Sequence, residues 1–181
     1  MAVTPTPPER KYKVLLLGSG NVGKTSLVRN FVEKRFSEDY LPSIGANLFV
    51  KSFTVNQKKA KVTVQLTIWD IAGQQRFLPM NSTYHKGAKG LFFVADLTSA
   101  ETFDTLPKWY EDLCKTVRDP IPTVLLANKC DLEATVSDDA IAAAMEKVGA
   151  STFFKTSAKT SENVLEAFTT LTKAILDSNP S

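Results

Sequence analysis

Residues 13–27, KVLLLGSGNVGKTSL, run an apolar stretch straight into a glycine-rich turn and then into a segment able to form a helix. This junction constrains the chain more than any other feature, because a strand, a tight turn and a helix are the opening unit of an open α/β sheet. Two phosphate-binding patterns overlap in it. Gly18, Gly20 and Gly23 fit the G-x-G-x-x-G turn of dinucleotide sites, whereas Gly18, Gly23, Lys24 and Thr25 fit the G-x-x-x-x-G-K-[ST] phosphate loop. Both predict the same context, with a helix from about Lys24 to Lys34, so context does not choose between them.

Side chains begin to choose. A phosphate loop needs an ammonium for the β- and γ-phosphate oxygens and a hydroxyl for Mg²⁺, at a helix start whose backbone N–H groups face the anion. Lys24 and Thr25 supply these groups, and the candidate phosphate-binding residues are Gly20, Asn21, Val22, Gly23, Lys24, Thr25 and Ser26. The dinucleotide pattern wants an acid about 20 residues on, at the end of a second strand. Glu38 and Asp39 stand at that distance, but RFSEDYLPSIG is polar, carries proline and glycine, and reads as a loop.

Three further stretches decide in favour of the phosphate loop. In WDIAGQQRF, Asp70 ends a strand where its carboxylate can hold a Mg²⁺ water. Gly73 leaves a backbone N–H open to a γ-phosphate, and Gln74 is suited to orient a water. In NKCD, Asp131 is a bidentate acceptor matching the N1–H and exocyclic amine of guanine. Adenine has no donor at N1 and would leave that carboxylate unpaired. Asn128 can bridge base and phosphate loop, and Lys129 can lay its stem over the ring. In TSAK, Ala158 can offer its N–H to the guanine O6, with Ser157 and Lys159 buttressing the loop. Each stretch follows an apolar run and so stands at the carboxyl end of a predicted strand, where ligands bind in such sheets.

Short apolar runs at Val14–Leu17, Leu91–Val94, Val124–Ala127 and Ser151–Phe154 suit parallel strands covered on both faces. Val164, Phe168, Leu171 and Ile175 recur at helical spacing, and Ser137 with Asp138 and Asp139 opens a helix that Gly149 can close. Thr98 and Glu101 predict a capping box before a helix that tolerates Pro107 only in its first turns. Residues 47–70 show mostly period-two spacing about a polar turn at Asn56–Lys59, predicting a hairpin. The expectation is one α/β domain over residues 11–177, with a disordered leader at 1–10 and a tail at 178–181.

With 181 residues, a net charge of +3 and no basic run, the chain offers no nucleic-acid footprint. Its two cysteines make no disulfide framework, and no apolar run is long enough to cross a bilayer. A cytoplasmic, reducing setting is expected.

From about Lys11 to Leu176 the chain resembles the Ras superfamily of small GTPases, and within it most the Rab branch. YLPSIGANLF resembles the Rab first switch, LTIWDIAGQQRF the second, and STYHKGAKGLFFVADLTSAETF the strand and helix that follow. The resemblance implies a P-loop NTPase fold, with a six-stranded sheet of five parallel strands plus one antiparallel edge strand and five helices. It implies that Phe36 packs edge-on against guanine, that Tyr40 closes over the phosphates, and that Ser43 joins Thr25 and Asp70 at Mg²⁺. Ser43 stands where the family usually has threonine. Gln75 replaces a glutamate, Ile71 a small residue, and Asn47 and Leu48 an acid and a phenylalanine.

The implied function is a molecular switch that binds GTP and GDP and hydrolyses GTP slowly. Lys24 and Gln74 are the catalytic candidates, and the role is in vesicle traffic. Other readings are a Ras- or Rho-like signalling GTPase, a guanine-nucleotide-binding module with little hydrolysis, and a P-loop kinase or ATPase, which NKCD and TSAK oppose. Loops Ser37–Asn47 and Ala72–Met80 would respond to the γ-phosphate. An exchange factor, an activating protein and effectors would meet a monomer there. No arginine stands obviously in cis, and Arg76 is expected to face a partner. The chain stops at LDSNPS without the cysteine that prenylation uses, and MAVT does not fit myristoylation. No lipid anchor is therefore expected within these residues, and any contact with the cytosolic face of a membrane would be peripheral. His85 is expected to be a structural or surface residue, Cys130 and Trp109 packing, Cys114 a helix residue, and Lys58, Lys59 and Lys61 a solvated turn.

Overall fold

The computed structural model describes residues 9–38, 43–58, 60–73 and 81–180. Six strands form one sheet: β1 (Arg10–Leu17), β2 (Ala46–Gln57), β3 (Ala60–Ile71), β4 (Gly90–Asp96), β5 (Thr123–Asn128) and β6 (Thr152–Thr156), in the order β2-β3-β1-β4-β5-β6. Five run parallel, and β2 is the antiparallel edge, paired with β3 along its whole length from Ala46↔Ile71 to Gln57↔Ala60. This is the hairpin that the period-two spacing predicts. The helices are α1 (Lys24–Glu33), α2 (Asn81–His85), α3 (Ala100–Asp104), α4 (Leu106–Cys114), α5 (Asp138–Lys147) and α6 (Val164–Ser178). Thr105, which separates α3 from α4, keeps right-handed helical angles, so the two are one interrupted helix and the fold has the expected five. Pro107 explains the interruption: its ring removes an N–H and crowds the carbonyl a turn earlier.

The continuous apolar runs are continuous because both faces of the central strands are covered. Val14 and Leu16 of β1, Phe92 and Val94 of β4, and Val124 and Leu126 of β5 point to one core, closed by Leu27, Val28 and Phe31 of α1 and by α6. Leu15 and Leu17, Leu91 and Phe93, and Leu125 and Ala127 point to the other, closed by α3, α4 and α5. The helical stripe of α6 lands as its spacing requires: Val164, Phe168, Leu171 and Ile175 are all buried. Phe168 stacks on Phe31 with centroids 4.0 Å apart and also meets Phe92 at 4.7 Å.

Two local expectations come out differently. β1 begins at Arg10, four residues before its apolar run, because Arg10 to Lys13 already pair with Val64 to Thr67 of β3. The capping box at α3 does not form. Thr98 donates both its N–H and its hydroxyl to Asp96 Oδ1, and Ser99 becomes the N-cap without a side-chain bond. The carboxylate ending β4 outcompetes the helix for that threonine. At α5 the expected cap holds, with Ser137 Oγ accepting from the Ala140 N–H and Gly149 left-handed beyond the end.

Candidate functional site

The carboxyl ends of β1, β3, β5 and β6 open on a cavity of about 770 Å³. Gly20, Asn21, Gly23, Lys24, Thr25 and Ser26 line it from the phosphate loop, Phe36 from just before the first switch loop, Ser43 from within it, and Gly73 from the second. Asn128, Lys129, Asp131, Ala158 and Lys159 line it from the two loops after β5 and β6. Val22 and Ser157 stand behind the wall: Val22 belongs to the core, and Ser157 is fully buried. Tyr40 and Gln74 lie outside the described residues, as do Gln75, Arg76 and Asp39.

At the phosphate end, Lys24 donates to the carbonyls of Gly18 at 2.8 Å and Ser19 at 2.7 Å. An ammonium has three donors, so one remains for a ligand. Burial lowers its pKa to about 8, with Asp70 opposing the shift, so the charge survives at neutral pH. Gly23 is the N-cap of α1 at φ 97°, and a Cβ there would sit 2.3 Å from Asn128 Nδ2. At Gly73 a Cβ would sit 2.3 Å from the Ser19 carbonyl carbon, so the second switch starts pressed against the phosphate loop.

Beside Lys24 lies a cluster of hard oxygen donors. Thr25 Oγ1 donates to Asp70 Oδ2 and is 3.0 Å from Ser43 Oγ, while Asn47 Nδ2 reaches Asp70 Oδ2 and Ser43 Oγ, each at 3.3 Å. Asp70 is wholly buried, and its Oδ1 has no hydrogen-bond partner. Burial raises its carboxyl pKa in spite of the Thr25 bond and the nearby Lys24, so a cation would relieve this carboxylate. Two hydroxyls and an unpartnered buried carboxylate oxygen fit a Mg²⁺ ion, which takes all-oxygen coordination with retained waters.

At the other end the loops are tied to one another. Asn128 Nδ2 donates to the Val22 carbonyl at 2.9 Å, and its Oδ1 accepts from Thr156 Oγ1 at 3.1 Å. Ser157 Oγ donates to Asp131 Oδ1 at 2.6 Å and accepts from the Thr160 N–H. Lys129, left-handed at φ 68°, pairs with Asp96 at 2.6 Å. Lys159 extends over the cavity to Glu38 at 3.3 Å.

Several of these partners carry no role in the sequence reading. Arg29 lines the cavity, and its position one helical turn after Thr25 was the available signal. Asp96 ends a strand on the ligand side of the sheet, which was also readable. Thr156 sits inside the quoted TSAK. Asn30 and Asn47 act across the fold and left no local trace. Elsewhere, His85 is fully buried on α2, and neither ring nitrogen has a hydrogen-bond partner. Trp109 is buried as expected. Cys130 is half-buried, and burial pushes its thiol up to about 11, while Cys114 is exposed.

Comparison with known proteins agrees with this geometry. A sequence model of the Ras family matches residues 13–177. "Ras-related protein Rab-13" of Canis lupus familiaris is 38% identical over 91% of this chain and 80% of its own length. "GTP-binding protein YPTM1" of Zea mays is 36% identical over 91% of the chain and 77% of its own. "Ras-related protein SEC4" of Saccharomyces cerevisiae is 36% identical, with 92% and 77% covered. The phosphate loop, the oxygen cluster around Asp70 and the paired loops after β5 and β6 are thus those of a small GTPase, and the chain belongs to the Ras family.

Proposed function

We propose that this chain is a guanine-nucleotide switch of Rab type that binds GTP and GDP with Mg²⁺, hydrolyses GTP slowly and serves intracellular vesicle traffic. The observation that carries the reading is a single cavity lined by phosphate-loop, switch and base-loop residues, beside a buried carboxylate with an unpartnered oxygen. Support for the branch comes from the Rab-named relatives.

The chemistry would be an in-line attack by water on the γ-phosphorus of GTP, which leaves GDP and inorganic phosphate. Lys24 balances charge developing on the β–γ bridge and phosphate oxygens, and the backbone N–H groups from Gly20 to Ser26 hold the phosphates in place. Gln74 orients the water. Thr25, Ser43 and Asp70 would hold Mg²⁺, which would supply further positive charge at the phosphate oxygens. Asp131 takes the N1–H and amine of guanine, Ala158 offers its N–H to O6, and Phe36, Asn128 and Lys129 complete the base site. Tyr40 covers the phosphates. Intrinsic turnover is slow, and an activating partner's arginine raises it by roughly 10³–10⁵. Exchange factors and effectors meet the switch loops, and the protein works as a monomer, in the cytoplasm and on the cytosolic face of membranes.

The test begins with the nucleotide released when freshly purified protein is denatured. GDP or GTP is expected, whereas ATP, NAD or a pocket indifferent to added GDP would overturn the reading. Single-turnover phosphate release from bound GTP then separates a slow enzyme from a mere binder. Gln74→Leu should slow release by about 10-fold or more, and identical traces for the two proteins would leave binding alone.

A further inference from the structure

Asn30 lies on α1, the helix that begins at the phosphate-loop residues Lys24 and Thr25 and not at the base loops. It is 4% exposed, and its Nδ2 donates to the Ala158 carbonyl at 2.9 Å and to Ser161 Oγ at 2.7 Å. We infer that Asn30 is a positioning residue for purine selection: it clamps the loop after β6 so that its backbone N–H groups are presented to the 6-oxo group of guanine. The inference rests on the guanine reading above and adds a determinant to it.

The argument is one of peptide geometry. Among the described residues no peptide is cis, and in a trans peptide the C=O and N–H point opposite ways. Anchoring the Ala158 carbonyl on the α1 side therefore turns the Lys159 N–H away from α1, and it also fixes ψ of Ala158. Both residues line the cavity. Ser161 and Asn163 are left-handed at φ 68° and 56°, a conformation that costs a non-glycine residue free energy and persists only when its surroundings enforce it. Within the loop the Ser157 N–H donates to the Glu162 carbonyl at 3.2 Å and the Thr160 N–H to Ser157 Oγ at 3.0 Å, Asn163 Nδ2 holds the Lys155 carbonyl at 2.8 Å, and Asn30 on Ser161 is the tie that reaches the loop from α1. Asn30 also shares a helix with Lys24 and Thr25, so the element that starts at the phosphates ends by holding the base loop.

The experiment compares affinities for GDP, inosine diphosphate and 6-thio-GDP in the wild type and in Asn30→Ala. Inosine diphosphate keeps O6 but lacks the amine, while 6-thio-GDP keeps the amine and N1–H but offers only a weak sulfur acceptor. Loss of a buried hydrogen bond predicts about 10-fold weaker binding of GDP and inosine diphosphate in Asn30→Ala. 6-Thio-GDP should weaken by no more than about 2-fold. Equal weakening of all three would make Asn30 a general structural residue and overturn the inference, as would no weakening at all. If Asn30→Ala fails to fold, Asn30→Asp carries the same test, because it keeps the shape and removes the donors. A wild type that ignores GDP counts against the nucleotide reading itself and not against Asn30.

Discussion

Asn128 shows how closely single residues are fitted at this site. Its amide spans from the Val22 carbonyl to Thr156 Oγ1, which joins the phosphate loop to both base loops, and only hydrogen at Gly23 leaves room for it. Gly23→Ala would place a methyl carbon 2.3 Å from Asn128 Nδ2, at φ 97°. The loop would have to open or the amide would have to let go. Either costs about 3 kcal/mol, or roughly 100-fold in GDP affinity. Gly20→Ala is the natural comparison for stability, because a Cβ there meets nothing nearer than the Gly73 carbonyl oxygen at 4.0 Å. Thermal unfolding of unliganded Gly20→Ala should match the wild type, and isothermal titration of Gly23→Ala with GDP should show the loss. Undiminished affinity would mean that the Asn128 tether is dispensable. The candidates carried by short motifs were readable because their chemistry lies in adjacent residues. Asn30 and Asn47 were not, since their partners Ala158 and Asp70 stand 128 and 23 positions away in the chain.

At the scale of elements, α2 is held by an unusual plug. His85 is fully buried between the sheet and α4, and burial lowers its pKa from 6.5. Asp112 on α4, whose Oδ2 is buried without a partner, opposes that shift, and Lys13 on β1 reinforces it. Lys13 is itself fixed, donating to the Lys86 carbonyl at 2.9 Å with its ammonium 4.2 Å from the Trp69 ring centroid. Because the folded pKa lies below the unfolded one, the unfolded chain takes up its proton first as pH falls below 6.5, so stability drops there. His85→Phe should flatten that drop. Denaturant titrations of both proteins at pH 7.5 and about pH 5.5 measure it, and parallel losses would place the acid sensitivity elsewhere. The sequence reading could not separate interior from surface for this residue. Five residues of α2 are too few to show a helical stripe, and the charged groups that act on His85, Asp112 on α4 and Lys13 on β1, lie far from it in the chain. The long elements were legible for the opposite reason. Alternating strands covered on both faces and the stripe of α6 write their packing into local spacing. The α3–α4 cap was misread because Asp96, at the end of a strand, claims Thr98.

Across the whole molecule, the cavity is the place where distant parts of the chain are joined mostly by side-chain hydrogen bonds. Thr25 reaches Asp70, Asn128 reaches Val22, and Asn30 reaches Ala158. Each bond joins the phosphate loop or its helix α1 to a segment at another strand's carboxyl end, so a ligand filling the space between them adds to stability shared by the entire sheet. Such a ligand binds the folded state alone, and linkage then sets the size of the effect. At a concentration about 1,000 times its Kd, GDP with Mg²⁺ should stabilise the fold by about 4 kcal/mol. For a domain of this size that is a rise of about 8–16 °C in Tm. ADP leaves Asp131 unpaired and should give little or none of it. Chelation should take back part of the gain in the wild type, because Asp70 would again be a buried carboxylate without its cation. In Asp70→Asn the buried charge is gone, so the GDP-bound Tm should respond much less to chelator. Differential scanning calorimetry with GDP, with ADP, and with GDP plus chelator reads all three arms. Equal shifts from GDP and ADP would remove the base loops from the account, and a chelator effect undiminished in Asp70→Asn would move the metal away from the cluster around that carboxylate.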